Sequence, residues 1–151
     1  MITTIKRLDG GMERTWRIKH RVSGKTIFSF KCKSFSLCLE IGAALKKDLR
    51  SANLRSANLR SANLSYANLS YANLSYADLS YADIDFSSLP LWCGSLNANY
   101  DDKQTTQILY HLLSVAKNSN NVSDGLRSKL MKSDLIKQAN RFHRVGEVPK
   151  L

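Results

Sequence analysis

Residues Arg50–Ile84 read RSANL-RSANL-RSANL-SYANL-SYANL-SYADL-SYADI, a five-residue beat without interruption. Leu54, Leu59, Leu64, Leu69, Leu74, Leu79 and Ile84 recur at that spacing, and Ala52, Ala57, Ala62, Ala67, Ala72, Ala77 and Ala82 keep it two positions earlier. The period fits neither regular element. On an α-helix, at about 3.6 residues per turn, five residues advance roughly 140°, so the leucines would spiral without forming an apolar stripe. On a strand, with period two, they would point alternately to opposite faces. All of them are buried together only if the chain turns a corner at each repeat and coils around its own leucines. An interior of that kind packs Leu and Ala at crystal-like density and leaves no room for a substrate. The tract is therefore read as a scaffold.

With its Ala-Asn/Asp-Leu core followed by two variable residues, the tract resembles the pentapeptide-repeat family. Leu49, in Lys-Asp-Leu, and Leu89, in Ser-Ser-Leu, read as degenerate flanking repeats. The resemblance implies a mainly β fold: a short right-handed quadrilateral β-helix with four pentapeptides per coil, its coils about 4.8 Å apart. From Leu49 to Leu89 it makes about two coils. It also implies that each Leu and the preceding Ala point inward, while Asn53, Asn58, Asn63, Asn68, Asn73, Asp78 and Asp83 bridge corners through nearby backbone. Stacked repeats need closed ends. The expected organisation is accordingly an N-terminal basic β-hairpin and helix cap over 1–48, the repeat β-helix over 49–91, and a C-terminal helical cap over 92–151. Phage and prophage members of the family look similar at the N-terminus, with a Gly-Lys hairpin turn, a helix, then the repeats.

The flanks carry ordinary signals. Trp16, Ile18, His20 and Val22 alternate with Arg17, Lys19 and Arg21; after Ser23-Gly24-Lys25, Phe28, Phe30 and Cys32 alternate with Ser29 and Lys31. This predicts a hairpin over 14–33 with one apolar and one basic face. Ser34 or Ser36 can cap a following helix with Phe35, Cys38, Leu39, Gly42 and Leu45 at helical spacing. Past Leu91, Asp101 or Asp102 can cap a helix running to Lys117, with Ile108, Leu109, Leu112, Leu113 and Ala116 on its apolar face, broken by Asn118 to Asn121. A second helical stretch, interrupted near Ser133, places Leu126, Leu130, Leu135, Ala139 and Phe142 inward and ends at Gly146 and Pro149. These helices are expected to cover the last coil or to pair with another copy of the chain as a homodimer.

The formal charge is +11, unevenly spread: residues 1–50 carry 12 basic and 4 acidic groups, residues 51–90 carry 2 and 3, and residues 91–151 carry 9 and 5. Such a balance favours acidic partners, whether nucleic acid, a nucleoprotein or an acidic protein face, or serves only solubility. Cys32, Cys38 and Cys93 form neither an even disulfide set nor paired Cys-x-x-Cys spacing, which reads as reduced thiols in a cytoplasmic protein, here of a bacterial host cell. Ile2 to Asp9 lacks the apolar core of a signal peptide, and no stretch of sequence approaches a membrane span.

Catalytic chemistry finds no foothold. His20, His111 and His143 have no partners at metal or catalytic spacing, and no Ser/His/Asp set, glycine-rich phosphate loop or carboxylate pair stands out. The run Arg141–Arg144 reads as a basic helix end or a phosphate contact. No enzyme activity, cofactor or metal is expected. The outward positions say more. Counting four pentapeptides to a coil places Arg50, Arg55 and Arg60 on three sides of the first coil and Tyr66 on the fourth, with Tyr71, Tyr76 and Tyr81 circling the second. An arginine belt beneath a tyrosine belt has the composition of a binding hot spot, unless the two belts stack on each other alone. The leading expectation is a non-catalytic protein-interaction module of phage or prophage type that binds, and in one extension inhibits, a bacterial protein or nucleoprotein complex. The alternative is direct nucleic-acid binding by the hairpin's Arg17, Lys19, Arg21, Lys31 and Lys33. Mimicry of DNA against a topoisomerase fits less well, because that role implies a long acidic rod.

Overall fold

A computed structural model of the protein describes residues 12–90, 97–142 and 147–151. They fall into two compact units, Met1–Asn99 and Tyr100–Leu151.

In the first unit, β1 (Arg14–Lys19) pairs antiparallel with β2 (Thr26–Cys32), with Trp16 opposite Phe30, Arg17 opposite Ser29 and Ile18 opposite Phe28. Alternation sends Ile18 and Cys32 into the core and leaves Arg17, Lys19 and Lys31 outside. Val22 departs from the expected apolar face. The register shifts between Ile18 and Lys19, and β1 ends there, so Val22 stands exposed at the tip near Gly24, whose φ of 67° suits glycine. The His20 imidazole holds this tip, its Nδ1 accepting from the backbone N–H of Val22 and of Ser23 at 3.2 Å each.

Helix α1 (Phe35–Ala44) starts at Ser34, whose hydroxyl accepts from Leu37 N at 3.0 Å. It buries Cys38, Leu39, Gly42 and Ala43, while Leu45, expected inside, sits exposed at the C-cap. Gly42 is needed for close approach: a Cβ there would stand 3.1 Å from the Phe28 ring and 3.4 Å from Leu49.

The repeat follows as a ladder whose rungs lie twenty residues apart. Asn53 bridges Asn73, Asn58 bridges Asp78, Asn63 bridges Asp83 and Asn68 bridges Ser88, all parallel. Each pairing is made by reciprocal bonds such as Leu54 N to Asn73 O at 2.9 Å and Asn73 N to Ala52 O at 2.8 Å. Four pentapeptides therefore separate neighbouring rungs. Leu49, Leu54, Leu59, Leu64, Leu69, Leu74 and Leu79 are at most 1% exposed, so the side chains set by the five-residue beat do fill one column. Burying each is worth about 1.5–3 kcal/mol. Ala57 is the alanine that departs from this pattern, being partly exposed.

Every corner is built alike. Ala52 N donates to Leu49 O, and the same bond recurs at Ala57, Ala62, Ala67, Ala72, Ala77 and Ala82, closing a β-turn. The third residue of each turn has positive φ, from 55° to 62° at Ser51, Ser56, Ser61, Tyr66, Tyr71, Tyr76, Tyr81 and Phe86. A positive φ at that turn position alone is the type II pattern, normally given to Gly or Asn. The Asn or Asp before each central Leu bridges its corner as expected: Asn58 Oδ1 accepts from Arg60 N at 3.1 Å and Asn73 Oδ1 from Ser75 N at 3.0 Å.

One side of the ladder's first edge is paired from the N-terminal segment. His20 bridges Ala52 antiparallel, with Arg21 N to Ser51 O at 2.8 Å and Asn53 N to Lys19 O at 2.7 Å, so the end of β1 occupies the pairing positions an open coil would expose. At the other edge Asn99 continues the ladder onto Asp78, with one residue more than the usual twenty.

The second unit holds α2 (Asp102–Asn118), α3 (Asp124–Leu130) and α4 (Ser133–Ala139). Asp101 caps α2 and forms a reciprocal capping box with Gln104. The core is Tyr110, Leu113, Ala139 and Phe142, with Leu109, Leu130, Met131 and Ile136 packed around it. The inward face thus differs from the expected one: Leu112, Leu126 and Leu135 are exposed. The chain breaks at Met131–Lys132, which rotates α4 so that Ile136 faces the cluster in place of Leu135. Helix α4 ends at Ala139, earlier than expected. Arg127 binds the end of α2, its guanidinium donating to the carbonyls of Ala116, Lys117, Ser119 and Val122 at 2.6–3.1 Å.

Candidate functional site

The Leu and Ala positions fill the interior, and the aromatic residues at the third position of each turn point outward. Tyr66, Tyr71, Tyr76 and Tyr81 are accordingly 57–70% exposed. Arg50, Arg55 and Arg60 are exposed as well. The structure joins the two belts. The Arg55 guanidinium lies 4.7 Å from the centre of the Tyr76 ring, and that of Arg60 lies 4.4 Å from Tyr81. These are cation–π distances, in which the ring's negative face meets the planar cation. Arg50 behaves differently. It is tied to Asp48 at 2.6 Å, and that bond holds the Asp48 carboxyl below its ordinary range.

Sequence reasoning missed Phe86. It occupies the corner after Tyr81 and stacks on Tyr66, ring centres 4.7 Å apart and planes within 10°. Counting five beyond Tyr81 would have found it, since Tyr66 and Phe86 stand one twenty-residue coil apart. The aromatic belt thus has five members.

The sequence also gave no sign of a groove that forms where β1, the start of α1 and one side of the first coil meet. It measures about 880 Å³ and is lined by Trp16, Lys33, Phe35, Ala57, Arg55 and Arg60, among others. Trp16 meets Phe35 edge-on, centres 6.0 Å apart, and carries Arg14 over its ring at 3.6 Å. Its Nε1 is buried without a hydrogen-bond partner.

Of the hairpin cations, Arg17, Lys19 and Lys31 share one exposed face of the two-stranded sheet, Arg21 lies at its tip, and Lys33 turns toward the groove. The five are exposed.

Cys32 and Cys38 are free and buried, and burial pushes the Cys38 thiol up to about 11. His111 is exposed and meets the rings of Tyr110 and Phe142 edge-on, each 5.6 Å away. Arg141 stands past the end of α4 and donates to Gln138 Oε1 at 3.2 Å. Cys93, His143, Arg144 and Gly146 lie outside the described residues. Among the described residues no cluster of three His, Cys, Asp or Glu could hold a metal ion, and no helix is long and apolar enough to cross a membrane.

Compared with known proteins, residues 48–89 match the family model described as Pentapeptide repeats, in eight copies. No curated protein and no solved structure matches the chain. The eight copies coincide with the corners, rungs and leucine column described above, so residues 48–89 are a tract of pentapeptide repeats.

Proposed function

We propose that the chain is a non-catalytic protein-interaction module of phage or prophage type, whose partner is a bacterial protein or nucleoprotein complex in the host cytoplasm. In this reading the repeat is a right-handed, four-sided β-helix of about two coils, and inhibition of the partner is its natural extension. Pentapeptide-repeat proteins are in general interaction modules. The observation that carries the reading is the outer belt: four exposed tyrosines and Phe86 on rigid corners, with Arg55 and Arg60 lying against two of them. Tyr and Arg dominate hot spots because they bury large area and end in directional polar groups. The corners hold them at fixed positions, which lowers the ordering cost of binding. The leucines that fill the column are at most 1% exposed, which favours a scaffold over a pocket.

Immobilised protein is exposed to bacterial lysate and compared with the variant carrying Tyr71→Ser, Tyr76→Ser and Tyr81→Ser. A specific protein retained by the first and lost by the second supports the module; equal retention by both, or none by either, refutes it.

A second reading has its own observation. Arg17, Lys19 and Lys31 share one solvent-facing side of the hairpin, a spacing suited to phosphates. Direct nucleic-acid binding there predicts affinity falling steeply with salt, and a mobility shift absent at low salt removes it. DNA mimicry is disfavoured, since the corners of the first coil carry arginine.

A further inference from the structure

The belts encircle the coil, so a partner of ordinary shape reaches only part of them. The groove beside the first coil identifies which part, and the chemistry it accepts. Its lining contains Lys33, Arg55 and Arg60 and neither Asp nor Glu. Asn53 and Asn58 also line it, and their Oδ1 atoms are already engaged by Arg55 N at 3.3 Å and Arg60 N at 3.1 Å. The remaining polar end of each is a donor amide. Helix α1 begins at the rim with no acidic residue in its first turn, so its positive end adds to the same field. The polar lining of the groove is thus rich in donors and carries Lys33, Arg55 and Arg60, with the Asp78 carboxylate acting on Arg60 from outside the lining, while Phe35, Trp16 and Ala57 supply an apolar portion.

Two features make the arginines receptors rather than solvated charges. Their guanidiniums rest against Tyr76 and Tyr81, which places the two cations before anything binds. A planar fork matches a carboxylate in two parallel hydrogen bonds. Single-stranded nucleic acid would need an open ring face on which a base could stack. The Trp16 ring is already covered by Arg14 at 3.6 Å and met by Phe35 at its side.

Resting on the interaction-module reading, we propose that this groove seats an acidic segment of the partner protein. Its carboxylates meet Arg55 and Arg60, and an apolar side chain lies against Phe35 and Ala57. Tyr76 and Tyr81 form the adjoining edge of the contact; Tyr66, Tyr71 and Arg50 lie outside it.

The test is fluorescence anisotropy of the full chain with a labelled octapeptide of alternating Glu and Leu. Its Gln-for-Glu counterpart and an octathymidylate serve as competitors. The expected result is binding of the acidic peptide, with the Gln peptide weaker by about tenfold or more. Arg55→Ala combined with Arg60→Ala should weaken the acidic peptide by a similar factor. Arg17→Ala combined with Lys31→Ala should leave it within about twofold, because a distant exposed charge contributes only a screened field. Matching thermal melts show that the exposed substitutions leave the fold intact. Equal affinity for both peptides, unchanged binding by the Arg55/Arg60 variant, or tighter binding of the oligonucleotide would overturn the proposal. Lysate capture separates the two levels. A specific protein held equally by wild type and the Arg55/Arg60 variant defeats the groove and leaves the module standing, whereas no capture by wild type defeats both.

Discussion

Leu64→Ala tests the leucine column in its first coil. Leu64 is fully buried, and its backbone is held on both sides: its N–H donates to Asp83 O at 2.8 Å and its carbonyl accepts from Ala67 N at 3.0 Å. The substitution removes three carbons, worth about 0.8 kcal/mol each in transfer alone, or roughly 2.4 kcal/mol. A cavity term adds to that where the surroundings cannot collapse, and the bonds from Leu64 to Asp83 and Ala67 hold the backbone against closing inward. A loss of about 3–4 kcal/mol is expected, within the range of roughly 2–5 for Leu→Ala in cores. Against a domain stability of about 5–15 kcal/mol that is a large fraction. Urea unfolding followed by circular dichroism measures it, with Tyr71→Ser as the outward control, expected within about 0.5 kcal/mol. A loss below about 1 kcal/mol, or one no greater than the control's, would refute the assignment of inside and outside.

Three further outcomes follow from particular contacts. Ser61 sits at a corner with φ of 58°, where an L-residue is strained by about 1–2 kcal/mol. Ser61→Gly should therefore raise the melting temperature slightly, the gain reduced by the extra freedom of glycine in the unfolded chain; a lower melting temperature contradicts the corner geometry. Arg127→Ala removes four hydrogen bonds to carbonyls at the end of α2 and should destabilise the second unit by about 2–3 kcal/mol; hydrogen exchange unchanged in α2 and α3 argues against this role. Burial pushes the Glu40 carboxyl up from its ordinary 4.5. A raised acid favours its protonated form in the folded state, so the stability linked to it is present below about pH 4.5 and is lost as pH rises through the higher folded value. Glu40→Gln should thus stabilise the protein at pH 7 and make little difference at pH 4, and melts showing the same difference at both pH values would count against the burial of this group.

How much was legible in advance depended on where the dominant contact came from. Positions such as Leu54 and Leu74 were readable because strict periodicity allows one way to bury them all, and the Asn and Asp corners were readable because their bond reaches only two residues along the chain. The hairpin and the caps at Ser34 and Asp101 were equally local. In the second unit the pattern was ambiguous. Leu112 and Leu113 are both apolar neighbours on one helix, and only packing against Phe142 and Ala139 selects Leu113 and Tyr110. Leu135 lost its place to Ile136 because the break before Ser133 turns the helix, and sequence spacing carries no information about that rotation. The candidate site divides along the same line. The exposure of the tyrosines and arginines follows from the repeat, but the pairing of Arg55 with Tyr76 depends on side-chain reach between successive coils.

From the chain alone one could infer a coil around aliphatic side chains, with aromatic and cationic residues forced to its outside, because burial energy scales with area and the five-residue period admits no other way to achieve it. Folding added what no period encodes: β1 closes the first rung, α1 comes within contact of Leu49 through Gly42, and Lys33, Trp16 and Phe35 meet Arg55 and Arg60 around one groove. Phe35 and Arg55 lie twenty positions apart in sequence and Trp16 and Arg60 forty-four. They become neighbours because the hairpin pairs with the ladder at Ser51 to Asn53 and so brings β1 and α1 beside the first coil.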